Sequence, residues 1–325
     1  MYPFTHTNAG TLTDATTALG KGKTQVVAGG TDLVTYMRVM CSPNPPTALV
    51  NIKTVLPSLN YIKTNSNGVL LIGALTPIAA IGASSVVAGG WNALAQAAKS
   101  VSSPELRTMG TIGGNICQKP RCPYFRFWGN QFSCLRKDPK GICFALVGIN
   151  RYHSIFGAVN GCIATCPSDT APVLVAMGAS IVTTKKTWAA ADFFVIKGEQ
   201  INSLDPDEIV TEIQVPALAT GTKSTYLKWS FRKAIDFPLV SCAAVITSAS
   251  GTVSKAGIVL GGVYNSPKRA TDAETSITGK AVSTTTADAA GAATATVATA
   301  SALPANKYKV QIAKTLIKRA LLASV

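Results

Sequence analysis

A chain of mixed strands and helices, long enough for two domains or three small ones, is what the sequence predicts, and three observations point to it. The chain has 325 residues, 47% of them hydrophobic and only 14% charged, so a sizeable core can form. Short strand-type runs alternate with helical spacings. A glycine-rich loop, Thr111-Ile112-Gly113-Gly114-Asn115, stands just before a cysteine-dense stretch that closes at Pro167-Ser168-Asp169.

The first forty residues read as strand, helix, strand, helix. Leu12, Ala15 and Leu19 are spaced for a short helix ended by Gly20 and Gly22. Thr24 to Ala28 is a buried-type strand, and after Gly29-Gly30-Thr31-Asp32 the residues Leu33, Tyr36, Met37 and Met40 return to helical spacing. A strand, a double glycine and a helix start can aim free N–H groups at one anion. The same pair of glycines also suits an ordinary tight turn. Asn44-Pro45-Pro46 is a turn, while Leu49 to Ile52 and Val69 to Ala74 are strands. Trp91 to Val101 carries Leu94, Ala97, Ala98 and Val101 on one face, a helix that Pro104 is expected to stop.

Beyond the cysteines, Asp169 to Met177 reads as a helix with Pro172 in its first turn. Ala179 to Thr183 is a strand. Glu208 to Pro216 alternates and ends at proline, as an edge or closing strand would. A domain boundary falls within Ala217 to Gly221, giving domains of 1–217 and 218–325, the first with an insertion at about 117–166. In the second domain strands (224–230, 240–247, 256–260) are expected to alternate with helices. Residues 281–304, rich in Ala, Thr and Ser, fit either helix or loop. Ile312, Leu316, Ile317, Ala320 and Leu321 form the apolar face of a last helix, with basic residues on its other face.

The formal net charge is +15, but the basic residues are scattered rather than gathered with aromatics, which argues against nucleic-acid binding. No run of about 18 apolar residues occurs, so no membrane span is expected. Met1 to Phe4 lacks the charged and apolar regions of a signal peptide. The cytoplasm is therefore expected, or the periplasm if a signal-bearing partner carries the chain out. The low charge content points to surface covered by partner subunits.

Six of the eight cysteines lie in the insertion: Cys117, Cys122, Cys134, Cys143, Cys162 and Cys166. The spacing Cys122-x11-Cys134-x8-Cys143-x18-Cys162 is looser than a ferredoxin run. By spacing alone, disulfides, a Zn(Cys)4 site, an iron–sulfur cluster and inert buried thiols all stay open. His153 is the one histidine nearby and has no assigned role. Cys41 and Cys242 read as core thiols.

An ordered set of motifs spans nearly the whole chain: Val27-Ala28-Gly29-Gly30-Thr31-Asp32-Leu33, Ile72-Gly73-Ala74, Leu106-Arg107, Gly110 to Asn115, and Ser168-Asp169. Asp192-Phe193-Phe194, Glu208-Ile209-Val210, Tyr226-Leu227-Lys228 with Arg232, Gly261-Gly262 with Pro267, and Lys318 to Leu321 follow. This set resembles the FAD-binding subunit of the molybdenum hydroxylases, the xanthine dehydrogenase and aldehyde oxidoreductase family. The long insertion is similar to that of bacterial periplasmic aldehyde oxidoreductases and of 4-hydroxybenzoyl-CoA reductase.

The resemblance implies a two-subdomain α+β FAD-binding domain of the xanthine dehydrogenase/CO dehydrogenase flavoprotein type, its subdomains divided near residue 55, followed by a smaller α/β domain. It implies FAD on two glycine turns, Val27, Ala28, Gly29, Gly30, Thr31, Asp32 and Leu33 in the first and Thr111, Gly113, Gly114, Asn115 and Gln118 in the second. Ser168 and Asp169 are implied beside the ribityl and adenosine side, Ile209 and Val210 along the pocket, and Lys228 near the ring system, with a solvated strand lysine as an equal alternative there. It implies a [4Fe–4S] cluster on Cys122, Cys134, Cys143 and Cys162, with Cys117 and Cys166 as packing residues. The partners implied are a large molybdopterin-binding subunit and a small subunit with two [2Fe–2S] clusters.

No Ser/His/Asp set, carboxylate pair or molybdenum–pterin motif stands out in this chain, so substrate oxidation is expected on another polypeptide. The function expected is electron transfer in an aldehyde oxidoreductase. The alternatives are the FAD subunit of a xanthine dehydrogenase, CO dehydrogenase or hydroxybenzoyl-CoA reductase type of enzyme, or a self-contained FAD oxidase. The last is disfavoured because no histidine adjoins the first glycine turn.

Overall fold

The computed structural model describes residues 1–325, organised around three separate sheets. The first lobe is a parallel sheet of β1 (Thr5–Asn8), β2 (Thr24–Val27) and β3 (Ala48–Asn51), in the order β1-β3-β2. Helix α1 (Leu12–Gly20) crosses over between β1 and β2, started by a reciprocal Thr11/Asp14 capping box. Its Ala15 and Leu19 bury against Val50 and Ile52. The short helix α2 (Leu33–Arg38) follows the first glycine turn.

The second sheet holds β4 (Ile62–Thr64), β5 (Leu70–Gly73), β6 (Ser180–Thr183), β7 (Thr187–Ala189) and β8 (Val210–Val215), ordered β4-β5-β8-β6-β7. Strand β8 is thus the central strand of this sheet, not an edge. Pro216 does not conflict with that position, because it lies one residue past the last ladder pair, Leu70↔Val215. Helices α3 (Ile78–Ala83), α4 (Ser85–Gly90), α5 (Asn92–Ser100), α6 (Pro104–Met109), α7 (Ile112–Cys117), α8 (Thr170–Ala176) and α9 (Ala190–Phe193) complete this lobe. Pro104 does not stop α5. It opens α6 at the first helical position, where its missing N–H costs nothing, and Ser103 accepts from Leu106 N as the cap.

The third sheet is antiparallel, β12-β11-β10-β9, built from β9 (Thr222–Trp229), β10 (Val240–Ala249), β11 (Thr252–Gly261) and the short β12 (Lys268–Arg269). Its helices, α10 (Thr271–Ile277), α11 (Val282–Val297) and α12 (Tyr308–Ser324), all follow the strands, where alternation was expected. Strand β10 explains the near-continuous apolar run there. Val240, Cys242, Ala244 and Ile246 face the C-terminal helices, while Ala243 and Val245 join the main core with α5 and α8. The alanine- and threonine-rich segment is helix α11, its Ala289, Ala292 and Ala293 buried against α12.

One basic residue of α12 departs from the amphipathic reading. Lys309 is fully buried, because three carbonyl oxygens turn inward to receive its ammonium group. No helix is long and apolar enough to cross a membrane.

Candidate functional site

The main cavity, about 430 Å³, lies where the first two lobes meet, and both glycine turns line it. The turns touch each other. A Cβ added to Gly29 would stand 1.9 Å from the Met109 carbonyl oxygen, so only glycine lets the first turn reach the lead-in to the second. Gly30 sits at φ +71°, in the left-handed region. The backbone N–H groups of Gly29, Gly30, Thr31 and Asp32 donate to no acceptor in the chain. Four such donors beside a cavity make a cradle for a negatively charged group.

The second turn is built differently. Ile112 N–H donates to Thr76 O, Gly113 N–H to Ala74 O at 2.9 Å, and Gly114 N–H to the Thr111 hydroxyl at 3.1 Å. These donors are already used within the fold, and a Cβ on Gly113 would press on the Ala74 carbonyl at 2.9 Å. This turn offers the cavity chiefly the Asn115 side chain. Its Oδ1 accepts from Ser168 Oγ at 2.6 Å and Thr170 Oγ1 at 2.8 Å, which leaves its amide N–H groups free.

Of the residues read from the sequence, Val27, Ala28, Gly29, Gly30, Thr31, Asp32, Leu33, Thr111, Gly113, Gly114, Asn115, Gln118, Asp169, Ile209 and Val210 line this cavity. Ser168 and Lys228 do not. Ser168 is buried behind Asn115 and also accepts from Ala171 N–H in the first turn of α8. Lys228 is not a solvated strand lysine. It is buried, with Nζ 3.0 Å from Asp169 Oδ2 and 2.9 Å from Ser100 O, and Tyr226 donates to Asp169 Oδ1 at 2.6 Å. Burial pushes the Asp169 carboxyl up, against the pull of the Lys228 ammonium. Lys228 thus positions a cavity wall from behind.

Asp32 lines the cavity but already has partners. Arg121 and Arg126 each approach its Oδ1 at 2.7 Å, and Lys119 N–H donates to Oδ2 at 2.9 Å. The carboxylate therefore pins the start of the insertion to the first glycine turn. Arg121 itself lines the cavity, stacked on the Phe237 ring at 4.4 Å. Sequence reading missed Arg121 and Phe237 as lining residues, because neither belongs to a glycine motif.

The insertion has almost no regular structure, only short 3-10 turns at Trp128–Asn130 and Phe144–Leu146. Even so, Cys122, Cys134, Cys143 and Cys162 line one small cavity of about 10 Å³, together with His153. All eight cysteines are free thiols, so no disulfide forms. Cys166 lies in the main core with Cys117 packed on it, both away from this cavity, while Cys41 and Cys242 are buried. No three His, Cys, Asp or Glu side chains are gathered to hold a single metal ion.

Burial pushes the Cys122 thiol up to about 12 and raises Cys134 and Cys162 as well, so a metal would have to displace protons to bind there. His153 Nε2 lies 3.2 Å from Cys122 Sγ. Burial, then the nearby Lys309 cation, push that imidazole down to about 4. The C-terminal domain clasps the far side of the insertion. Asn265 donates to Cys162 O and Ala164 O, Asn306 to Ser154 O, and Tyr308 to Arg151 O.

Residues 2–218 match the family model for the FAD-binding domain in molybdopterin dehydrogenase. The chain belongs to that family. Residues 225–324 match the CO dehydrogenase flavoprotein C-terminal domain, so the flavoprotein-type fold expected from the sequence is the one present. The aldehyde oxidoreductase FAD-binding subunit PaoB of Escherichia coli K12 is 33% identical over 267 residues, covering 79% of this chain and 80% of that one. The carbon monoxide dehydrogenase medium chain of Hydrogenophaga pseudoflava is 28% identical over 302 residues, 92% of this chain and 88% of that one. Among solved structures, carbon monoxide dehydrogenase from H. pseudoflava, in a form lacking the Mo-pyranopterin moiety, superposes with a TM-score of 0.76 at 26% identity, covering 100% of this chain and 98% of that one. The matched family model describes an FAD-binding domain, and the free backbone donors lining the roughly 430 Å³ main cavity suit the charge of an anionic dinucleotide.

Proposed function

We propose that this chain is the FAD-binding electron-transfer subunit of a heteromeric molybdenum-containing aldehyde oxidoreductase. The observation that carries the reading is the cradle of free N–H groups from Gly29 to Asp32, opening on the main cavity of a chain from this family. The aldehyde substrate class is supported by the 33% identity to an aldehyde oxidoreductase subunit. Gly29 to Asp32 would hold the pyrophosphate, Asn115 would donate to it or to the neighbouring ribityl chain, and Ile209 and Val210 would form apolar wall. Bound FAD would join one-electron carriers to an outside acceptor. This chain's own part is to hold and orient the cofactor and to exclude water around it. Substrate oxidation belongs to a large molybdopterin-binding partner, with a small [2Fe–2S] partner between. Exposed Trp128, Ile142, Val147 and Phe231 support a surface that partners cover. The division at 217/218 is part of the same reading.

The four thiols facing one cavity fit the donor set of a [4Fe–4S] cluster, one thiolate per iron. A second reading, a carbon monoxide dehydrogenase medium chain, is favoured by the broader coverage of that relative, 92% of the chain. Substrate turnover by the assembled complex separates the two: aldehyde against carbon monoxide with the same dye. The isolated chain should oxidise neither, and aldehyde oxidation by it at the complex's rate would refute a relay role. Acid precipitation should release FAD at about one per chain, as a single site requires. Flavin retained in the pellet would mean covalent attachment and overturn this account of the turns.

A further inference from the structure

Besides its four thiols the cysteine cavity is lined by three polar side chains, Tyr124, Arg136 and His153, and His153 is the one that meets Cys122. It is 2% exposed, and its Nδ1 is buried without a partner. Cys122 Sγ, 3.2 Å from Nε2, is the imidazole's single polar contact. The imidazole cannot drift from it easily, since the backbone is held on both sides. His153 N–H donates to Asn150 O at 3.0 Å, and His153 O accepts from Lys309 Nζ at 2.8 Å. Lys309 has no carboxylate partner. Its ammonium donates only to carbonyl oxygens, including Gly262 O at 2.6 Å. A buried cation without a counter-ion is unfavourable unless something anionic lies near.

We propose that His153 donates its Nε2 hydrogen to Cys122 Sγ and so raises the reduction potential of the four-cysteine centre, with Lys309 holding the histidine in place and adding positive charge. The proposal rests on the [4Fe–4S] reading. A cysteine bound to iron carries no proton, so the hydrogen between the two atoms must sit on nitrogen. A hydrogen bond to a ligating thiolate favours the more negative, reduced state, and a nearby cation acts in the same direction. On reduction one electron enters the centre. No covalent bond forms or breaks and no proton moves. Cys162 has its own donors, Ala164 N–H at 3.4 Å and Arg136 Nη1 at 4.0 Å, so the histidine's effect is specific to Cys122.

The test uses the full chain loaded anaerobically with ferrous iron and sulfide, as wild type, His153→Leu and His153→Gln. Iron and sulfide are counted, and the midpoint is read by an EPR-monitored dithionite titration. His153→Leu should keep its iron while the reduction equilibrium shifts at least tenfold toward the oxidised form, about 59 mV for one electron. His153→Gln, which still presents an N–H, should recover part of that shift. An unchanged midpoint in iron-loaded His153→Leu overturns the proposal and leaves the cluster reading standing. Loss of iron from both variants also overturns it, by making His153 a ligand or a prop. Wild-type chain that takes zinc but forms no iron–sulfide centre sinks the cluster reading itself, before any variant is compared.

Discussion

Replacing Gly29 by alanine tests whether contact between the two glycine turns shapes the cofactor cavity. The new Cβ would meet Met109 O at 1.9 Å and Met109 C at 2.7 Å, both backbone atoms that cannot rotate away. Real Cβ contacts do not fall below 3.0 Å, so the turns must part by more than 1 Å. Overpacking of this kind costs about 1–3 kcal/mol, with a fall in melting temperature of roughly 2–4 °C per kcal/mol. The same movement splays the four free N–H groups proposed to hold the FAD pyrophosphate. Losing even one charge-assisted hydrogen bond, about 1.5–3 kcal/mol, weakens FAD binding about tenfold or more.

Gly30→Ala provides a graded comparison. Its Cβ would lie 3.2 Å from a mobile Val34 methyl, so the main penalty is the left-handed backbone, about 1–2 kcal/mol. Gly89→Ala is the control, since its Cβ would meet nothing within 4 Å and it lies in α4. It should stabilise by about 0.5–1 kcal/mol and leave FAD untouched. Thermal melts of the flavin-free chain and fluorescence titration with FAD give the two readouts. Wild-type stability and FAD affinity in Gly29→Ala would refute the idea that the turns are fitted to each other.

Cys122→Ser, Cys134→Ser, Cys143→Ser and Cys162→Ser should each abolish iron loading, while Cys166→Ser, away from the cavity, should keep it; iron and sulfide analysis decides. Asp169→Asn leaves the Lys228 ammonium buried and unpaired, at a cost of about 3–5 kcal/mol, and a urea midpoint close to wild type would contradict that. Burial lowers Lys309 to about 7 in the folded chain, against about 10.4 unfolded. The unfolded state then binds the extra proton between those values, so stability should rise with pH across that window, by at most about 1.4 kcal/mol per pH unit, and the penalty is full below pH 7. Urea midpoints of iron-free chain from pH 6 to 10 should show this slope in wild type relative to Lys309→Met, and parallel curves would rule it out.

Much of the architecture was legible because it rests on local patterns. The first lobe's strand–helix–strand order follows from the spacing of Leu12, Ala15 and Leu19 and from the glycines that end that helix. The four cysteines that share a cavity are the four that the family resemblance sets apart from Cys117 and Cys166, although the intervals between them form no metal-binding run. What escaped depends on long-range burial. Pro216 looks like an edge marker until β5 and β6 are seen on either side of β8. Lys228 looks exposed on a strand until Asp169 is folded against it.

Lys309 is the clearest case. In sequence it is one of several basic residues on a C-terminal helix. In the fold it is the one that turns inward, to the carbonyls of His153 and Gly262. No periodicity could reveal that, because its acceptors lie 156 and 47 residues away. Asn265 and Asn306 reach the same stretch from the same domain. The insertion has little regular structure of its own, so the backbone that carries His153 and Cys162 is held largely by side chains from the C-terminal domain. The geometry of the four-cysteine cavity therefore depends on two domains at once, and a lesion in α12 should disturb it as surely as one beside a cysteine.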